Sequence, residues 1–257
     1  MTSPYLIFAA FLLFSLLAVL ELGRRLGLSH MRVRGSSSKG SATVETAVFA
    51  LFGLLLAFTF SGAATRFEHR RDLVVQEANA IGTAYLRIDL LDQQTQERLY
   101  PLFKSYVQSR LDAYQSITSG QAEFKAKLAE STKIQVEIWQ VATAGASRAK
   151  SPSVMNLVLP PINDMIDITS TRLAAMRNHP PTIIFVLLVA FSFACALIAG
   201  YSMSVDSRRN WLHMILFTIC VAGTIYVILD LEYPRYGFIR VDSVDVHLRD
   251  LLESMKK

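Results

Sequence analysis

Cysteine is nearly absent. The chain carries two, Cys195 and Cys220, among 257 residues, and both stand inside apolar runs. So few, so placed, exclude a disulfide framework and a thiolate metal site. Charge is also sparse, at 18% of residues against 52% hydrophobic, and the mean hydropathy of +0.33 is too apolar for an ordinary soluble domain of this length. Nor is there a phosphate-binding glycine loop, a zinc spacing or a nucleophile motif. His30, His69, His179, His213 and His247 are scattered and read as interfacial or surface residues. An enzyme reading finds no positive support and no cofactor or metal is implied. Low-complexity sequence and internal repeats are missing as well.

What is present is long apolar runs. Four segments reach the roughly 20 helical residues a hydrocarbon core requires: Pro4 to Leu22, Val44 to Ala64, Thr182 to Met203 and Trp211 to Leu229. No basic residue precedes the first, so it reads as a retained span rather than a cleaved signal peptide. The third opens with HPPT, prolines suited to a helix's first turn, and the short link SVDSRRN makes spans three and four a hairpin. The expected fold is an all-α integral membrane protein of four spans. It divides into 1–65 with spans one and two, 66–180 as a helical extramembrane part, 181–230 as the hairpin, and 231–257 as a tail. The formal charge of +5 comes from basic residues beside the apolar runs, Arg208 and Arg209 among them, so the lipid bilayer, not nucleic acid, is the expected partner.

The 66–180 insert repeats its apolar residues at helical spacing: Leu99, Leu102, Phe103, Tyr106, Val107 and Leu111, then Phe124, Leu128, Ile134, Ile138 and Val141. Ser119–Gly120 should break one helix pair and the stretch 145–152 another. The Pro160–Pro161 pair should start or kink a further helix ending at Arg177. Orientation is balanced. Arg24, Arg25, Arg32, Arg34 and Lys39 place the first link on the cytoplasmic side, while Arg66, Arg70, Arg71, Arg172, Arg177, Arg235 and Arg240 argue for the opposite side.

One stretch, RRDLVVQEANAIGTAYLR from Arg70 to Arg87, carries polar residues on a helix that continues from the second span. At about 100° per residue, Asp72, Gln76, Asn79, Thr83 and Arg87 share a narrow sector, opposite Val74, Ala78, Ile81, Tyr85 and Ile88. The same phase carried back selects Ala50, Leu54, Phe58, Ser61 and Thr65. In one reading this sector simply faces solvent. In the other, Leu73, Val75, Ala80, Ala84 and Leu86 make the helix apolar nearly all round, hence buried, and its polar stripe needs water or partners. Several copies around an axis would provide both, with an apolar neck at Leu54 and Phe58 and a wetter vestibule beyond it. That phase requires an unbroken helix through Gly62. Ala78–Gly82 and Ala80–Ala84 are small-residue pairs suited to close helix packing.

The run LLLAFTFSGAATRFEHRRDLVVQEANAIGTAYLR resembles the second span of bestrophins, and the phrases EANAIGTAYLR and DLEYPRYGFIRV resemble an uncharacterised bestrophin-like group. The resemblance covers most of the chain in order and spacing. It implies a homo-oligomer, pentameric in bestrophins, that passes small ions, anions in that family. It also implies a cytoplasmic helical part and a plasma (inner) membrane location. Aligning Arg66 with the arginine that ends the family's span puts Ala50, Leu54 and Phe58 at the neck positions. Ser61, Thr65, Asp72, Gln76, Asn79, Thr83 and Arg87 then line the vestibule. Ala50 departs from the bulky family pattern, and Phe67 and Glu68 replace its tryptophans. Glu232, Pro234 and Gly237 fit the turn before the family's calcium clasp loosely. Asp242 and Asp245 are too few for the 6 to 8 oxygens calcium takes, so the reading there is a capping turn and an amphipathic helix. A non-conducting scaffold or sensor, and a receptor with an external helical domain, are the readings set against the channel.

Overall fold

The computed structural model describes residues 4–34, 41–149, 151–205, 209–240 and 244–255, and among them there are helices and no strand. Lys39, Arg208 and Asp242, singled out above, lie outside the described residues. In order, the helices are α1 (Pro4–Arg34), α2 (Ser41–Arg87), α3 (Gln93–Gln115), α4 (Gln121–Ser147), α5 (Pro152–Arg177), α6 (Thr182–Ser202), α7 (Trp211–Glu232) and α8 (Val246–Ser254). Four helical stretches, containing α1, α2, α6 and α7, are long and apolar enough to cross a membrane. The chain forms two compact units, Met1–Phe67 with His179–Ile239, and Glu68–Asn178 with Arg240–Lys257.

In the first unit α1 is the central helix and packs chiefly against α6, then α7. The expected hairpin of spans three and four is adjacent in sequence, but α6 and α7 touch each other far less than either touches α1. The reason is backbone access. A Cβ on Gly23 would strike the Leu197 carbonyl, and one on Gly200 the Leu20 carbonyl, so α1 and α6 meet where neither has a side chain. Helices in lipid associate through such close approach, since burying apolar surface there gains nothing over lipid. Leu12, Leu16 and Leu20, on one stripe of α1, fill the core with Leu188, Cys195 and Ile225. Thr59 donates to the Leu55 carbonyl at 2.6 Å and Ser192 to that of Val189 at 2.7 Å, each on its own helix, while Ser202 of α6 donates to Glu45 of α2 at 2.6 Å.

In the second unit α3 packs on α4, α4 on α5 and α8 on α3. Of the periodic residues, Leu99, Phe103, Tyr106, Val107 and Ile138 are fully buried, Leu111 and Val141 buried, and Leu102, Phe124, Leu128 and Ile134 half-buried. Asp92 caps α3 by accepting from the Thr95 amide at 3.0 Å, one of the orphan donors every helix start leaves. The break at Ser119–Gly120 falls between α3 and α4, and Gly120 has φ +145°, a conformation open to glycine. The proline expectation needs correction in part. Pro152, not the Pro160–Pro161 pair, opens α5, because Ser151 caps it and the first position needs no N–H; the pair lies inside the helix, which ends at Arg177 as expected. Likewise Pro180 and Pro181 precede α6 and do not form its first turn.

Candidate functional site

Helix α2 is 47 residues long, with no proline to interrupt it. Gly62, the weak point in the phase, is helical, and the Arg66 guanidinium folds toward it, 3.2 Å from where a Cβ would stand. Ala50, Leu54, Phe58, Ser61 and Thr65 are all exposed on the chain, Leu54 by 53% and Phe58 by 70%. Thr65 donates its hydroxyl to the Ser61 carbonyl at 2.9 Å. Asp72, Gln76, Asn79, Thr83 and Arg87 are exposed too, while Val74, Ala78, Ile81 and Ile88 opposite them are buried and Tyr85 is half-buried. The flanks divide: Leu73 and Ala84 are buried, but Leu86 is exposed. The helix is therefore not enclosed all round within the chain, and its polar sector is open.

The buried side holds what the sequence reading passed over. Glu77 is fully buried and receives Arg110 Nε on Oε1 at 2.6 Å and Arg172 Nη1 on Oε2. Both guanidiniums lie over the Tyr114 ring, at 4.8 Å for Arg110 and 3.9 Å for Arg172. Arg110 also donates to the Tyr114 hydroxyl, and Gln135 donates to the Tyr106 hydroxyl at 2.9 Å. One cluster thus ties α2, α3, α4 and α5. Burial works against the charge of Arg110, but Tyr114 and Glu77 outweigh it and hold its pKa above the ordinary arginine value; burial pushes the Tyr106 phenol up. A little earlier on α2, Arg70 donates to the carbonyls of Ala175 at 3.2 Å and Asn178 at 2.9 Å, satisfying the end of α5. A sequence signal existed. At about 100° per step, Arg70 and Glu77 fall on the apolar side of α2, and a charge in that sector demands a partner.

In the first unit, Arg66 donates through Nε to Glu232 Oε1 at 2.8 Å and also through Nη2. His179, read above as a scattered residue, has Nδ1 3.3 Å from Glu232 Oε2 and stacks on Tyr233 with centroids 4.6 Å apart. Arg209, expected only to reach a membrane surface, is paired with Glu21 at 3.1 Å. The turn after α7 is built by Asp230, whose Oδ2 accepts from the amides of Phe238 at 2.9 Å and Ile239 at 2.8 Å. Gly237 is required there because a Cβ would collide with the Asp230 carboxylate. Amphipathic α8 follows, with Leu248 buried and Leu251 3.4 Å from a Cβ position on Gly82, an ordinary contact distance. Asp245 is buried just before α8. Among the described residues no three His, Cys, Asp or Glu side chains are placed to hold a metal ion.

Four apolar helical stretches, an all-helical unit formed mainly between the second and third, and a clamped turn after the fourth make a specific order of elements. A family model described as Bestrophin-like domain matches residues 7–245. No curated protein and no solved structure matches the chain. With the match spanning nearly its whole length, the chain belongs to the bestrophin-like family and is an integral membrane protein.

Proposed function

We propose that the protein is a homo-oligomeric ion channel, pentameric as in bestrophins, with α2 lining the pore. Ala50, Leu54 and Phe58 form a hydrophobic neck, which gates by dewetting. Ser61, Thr65, Asp72, Gln76, Asn79, Thr83 and Arg87 line the wider vestibule, and the second unit is cytoplasmic at the inner membrane. The observation that carries this reading is the two-sidedness of α2. Its polar sector is open while the opposite face is buried and fastened by Glu77. Phe58, an aromatic ring 70% exposed on the same helix, is a large apolar surface of the kind that meets lipid or a second chain. The family reading supports the direction, since bestrophins are channels and not enzymes.

The test is reconstitution of purified protein into planar bilayers, with its oligomeric state measured in parallel. Rings that pass ions, and a larger conductance on replacing Leu54 and Phe58 by alanine, are the expected result. A monomer, or rings that pass no ion at any voltage, overturns the channel and leaves the scaffold reading.

A further inference from the structure

The first unit holds a cleft that the pore reading does not use. It encloses about 290 Å³ between Tyr5 and Phe8 of α1, Phe185 and Leu188 of α6, and Ile225 and Leu229 of α7, and its walls are almost wholly apolar. The surface beside it is apolar as well, with Ile7, Phe11, Ile183 and Val186 exposed. On membrane-spanning helices such surface meets hydrocarbon, and an apolar hollow offers water no partners.

One wall leads out of the hydrocarbon. The Tyr5 ring stacks on Tyr233 with centroids 5.0 Å apart and planes 15° apart, Tyr233 stacks on His179, and His179 and Arg66 converge on Glu232. Within that cluster the anionic member is the sealed one. The Glu232 side chain is 1% exposed, against 26% for Arg66 and 29% for His179. Glu232 engages Nε and Nη2 of Arg66, and a guanidinium has five N–H donors in all. A molecule at the membrane surface therefore meets nitrogen donors and aromatic rings, with hydrocarbon walls adjoining them.

We propose that this cleft is a phospholipid site, taking one acyl chain of a lipid from the surrounding bilayer and holding its phosphate at Arg66 and His179. Arginine binds phosphate through paired N–H donors, and tyrosine belongs at the level where headgroup and chain join. The site is independent of whether α2 lines a pore.

Full-length protein in nanodiscs doped with a phospholipid bearing a photoactivatable acyl chain tests it, with adducts mapped by mass spectrometry. Labelling is expected to be several-fold denser at Phe8, Phe185 and Leu229 than at Phe14 and Leu216, although the latter two are the more exposed. Excess unlabelled phospholipid should displace it, and excess diacylglycerol, which lacks the phosphate, should not. Leu188→Trp, which fills the cleft, should lower labelling there, and wild-type competition stands without that variant if it fails to fold. Even labelling over all exposed apolar residues overturns the proposal, as does equal competition by diacylglycerol. Cross-linking of Phe8→Cys between copies, with the cleft unlabelled, would show that a second chain fills it and would also overturn the proposal.

Discussion

The two units place their buried charges differently. In the first, the buried carboxylates Asp230 and Glu232 sit at the end of α7, and the tightest helix contact is backbone on backbone at Gly23 and Gly200. In the second, a carboxylate and two guanidiniums sit inside the core and connect helices far apart in sequence. Lipid supplies no hydrogen bonds, so a spanning helix must satisfy its polar groups internally and pack through small residues. A helix bundle can hold ions in its core when each has partners.

Removing the carboxylate of Glu77 should break the second unit alone. Glu77→Ala leaves Arg110 and Arg172 buried and unpaired, and loss of one partner of a buried ion pair costs about 3–5 kcal/mol. Hydrogen exchange should rise across α3 and α5 with α1 and α6 unchanged. If all helices loosen together, the two units are not separable. The converse variant, Gly200→Val, drives a side chain into the Leu20 backbone. Overpacking of this kind costs about 1–3 kcal/mol, read as a lower unfolding temperature in detergent with exchange rising on α1 and α6. Tyr106→Phe removes the acceptor for Gln135, and a net loss of about 1 kcal/mol confined to the second unit is expected from thermal unfolding.

Two smaller effects sharpen the contrast. Replacing Leu54 and Phe58 by alanine should change stability by no more than about 0.5 kcal/mol, as for surface positions, because neither is packed within the chain. A large loss of stability there in the monomer would show that they are core residues. At the start of α3, hydrogen bonds from the Thr95 hydroxyl, and secondarily its amide and the charge of Arg148, hold the Asp92 carboxyl below its ordinary value. A depressed carboxylate stabilises the fold above its unfolded value, near about 3.9, and that contribution is lost as pH falls through the folded value. Asp92→Asn should therefore flatten the acid limb of α3 exchange protection slightly, a change absent if Asp92 does not cap the helix.

Periodicity made most of the architecture legible. The spacing of apolar residues in the insert predicts helices, and α3, α4 and α5 lie there; of those residues Leu99, Phe103, Tyr106, Val107 and Ile138 are fully buried, while Leu102, Phe124, Leu128 and Ile134 are half-buried. The polar sector of α2 was legible for the same reason, since 3.6 residues per turn separates Asn79 from Ile81. The clusters behind it were not. Glu77 meets Arg110 and Arg172 across 33 and 95 residues, so its place on the apolar side of α2 calls for a partner without naming which. His179 looked isolated because its partners, Glu232 and Tyr233, lie more than fifty residues on. Pro160 and Pro161 do not start α5, because the capped start at Ser151–Pro152 is the stronger local signal.

By itself, then, the sequence determined a helical membrane protein with four helices long and apolar enough to span and one long two-sided helix, because hydrophobic run length and helical period are properties of neighbours along the chain. Only the tertiary structure decided which charges are buried, that α1 and not α7 is the chief partner of α6, and that Gly237 exists to admit the Asp230 carboxylate. Those are contacts between residues distant in sequence, and their energies depend on distance, exposure and the partner each group finds.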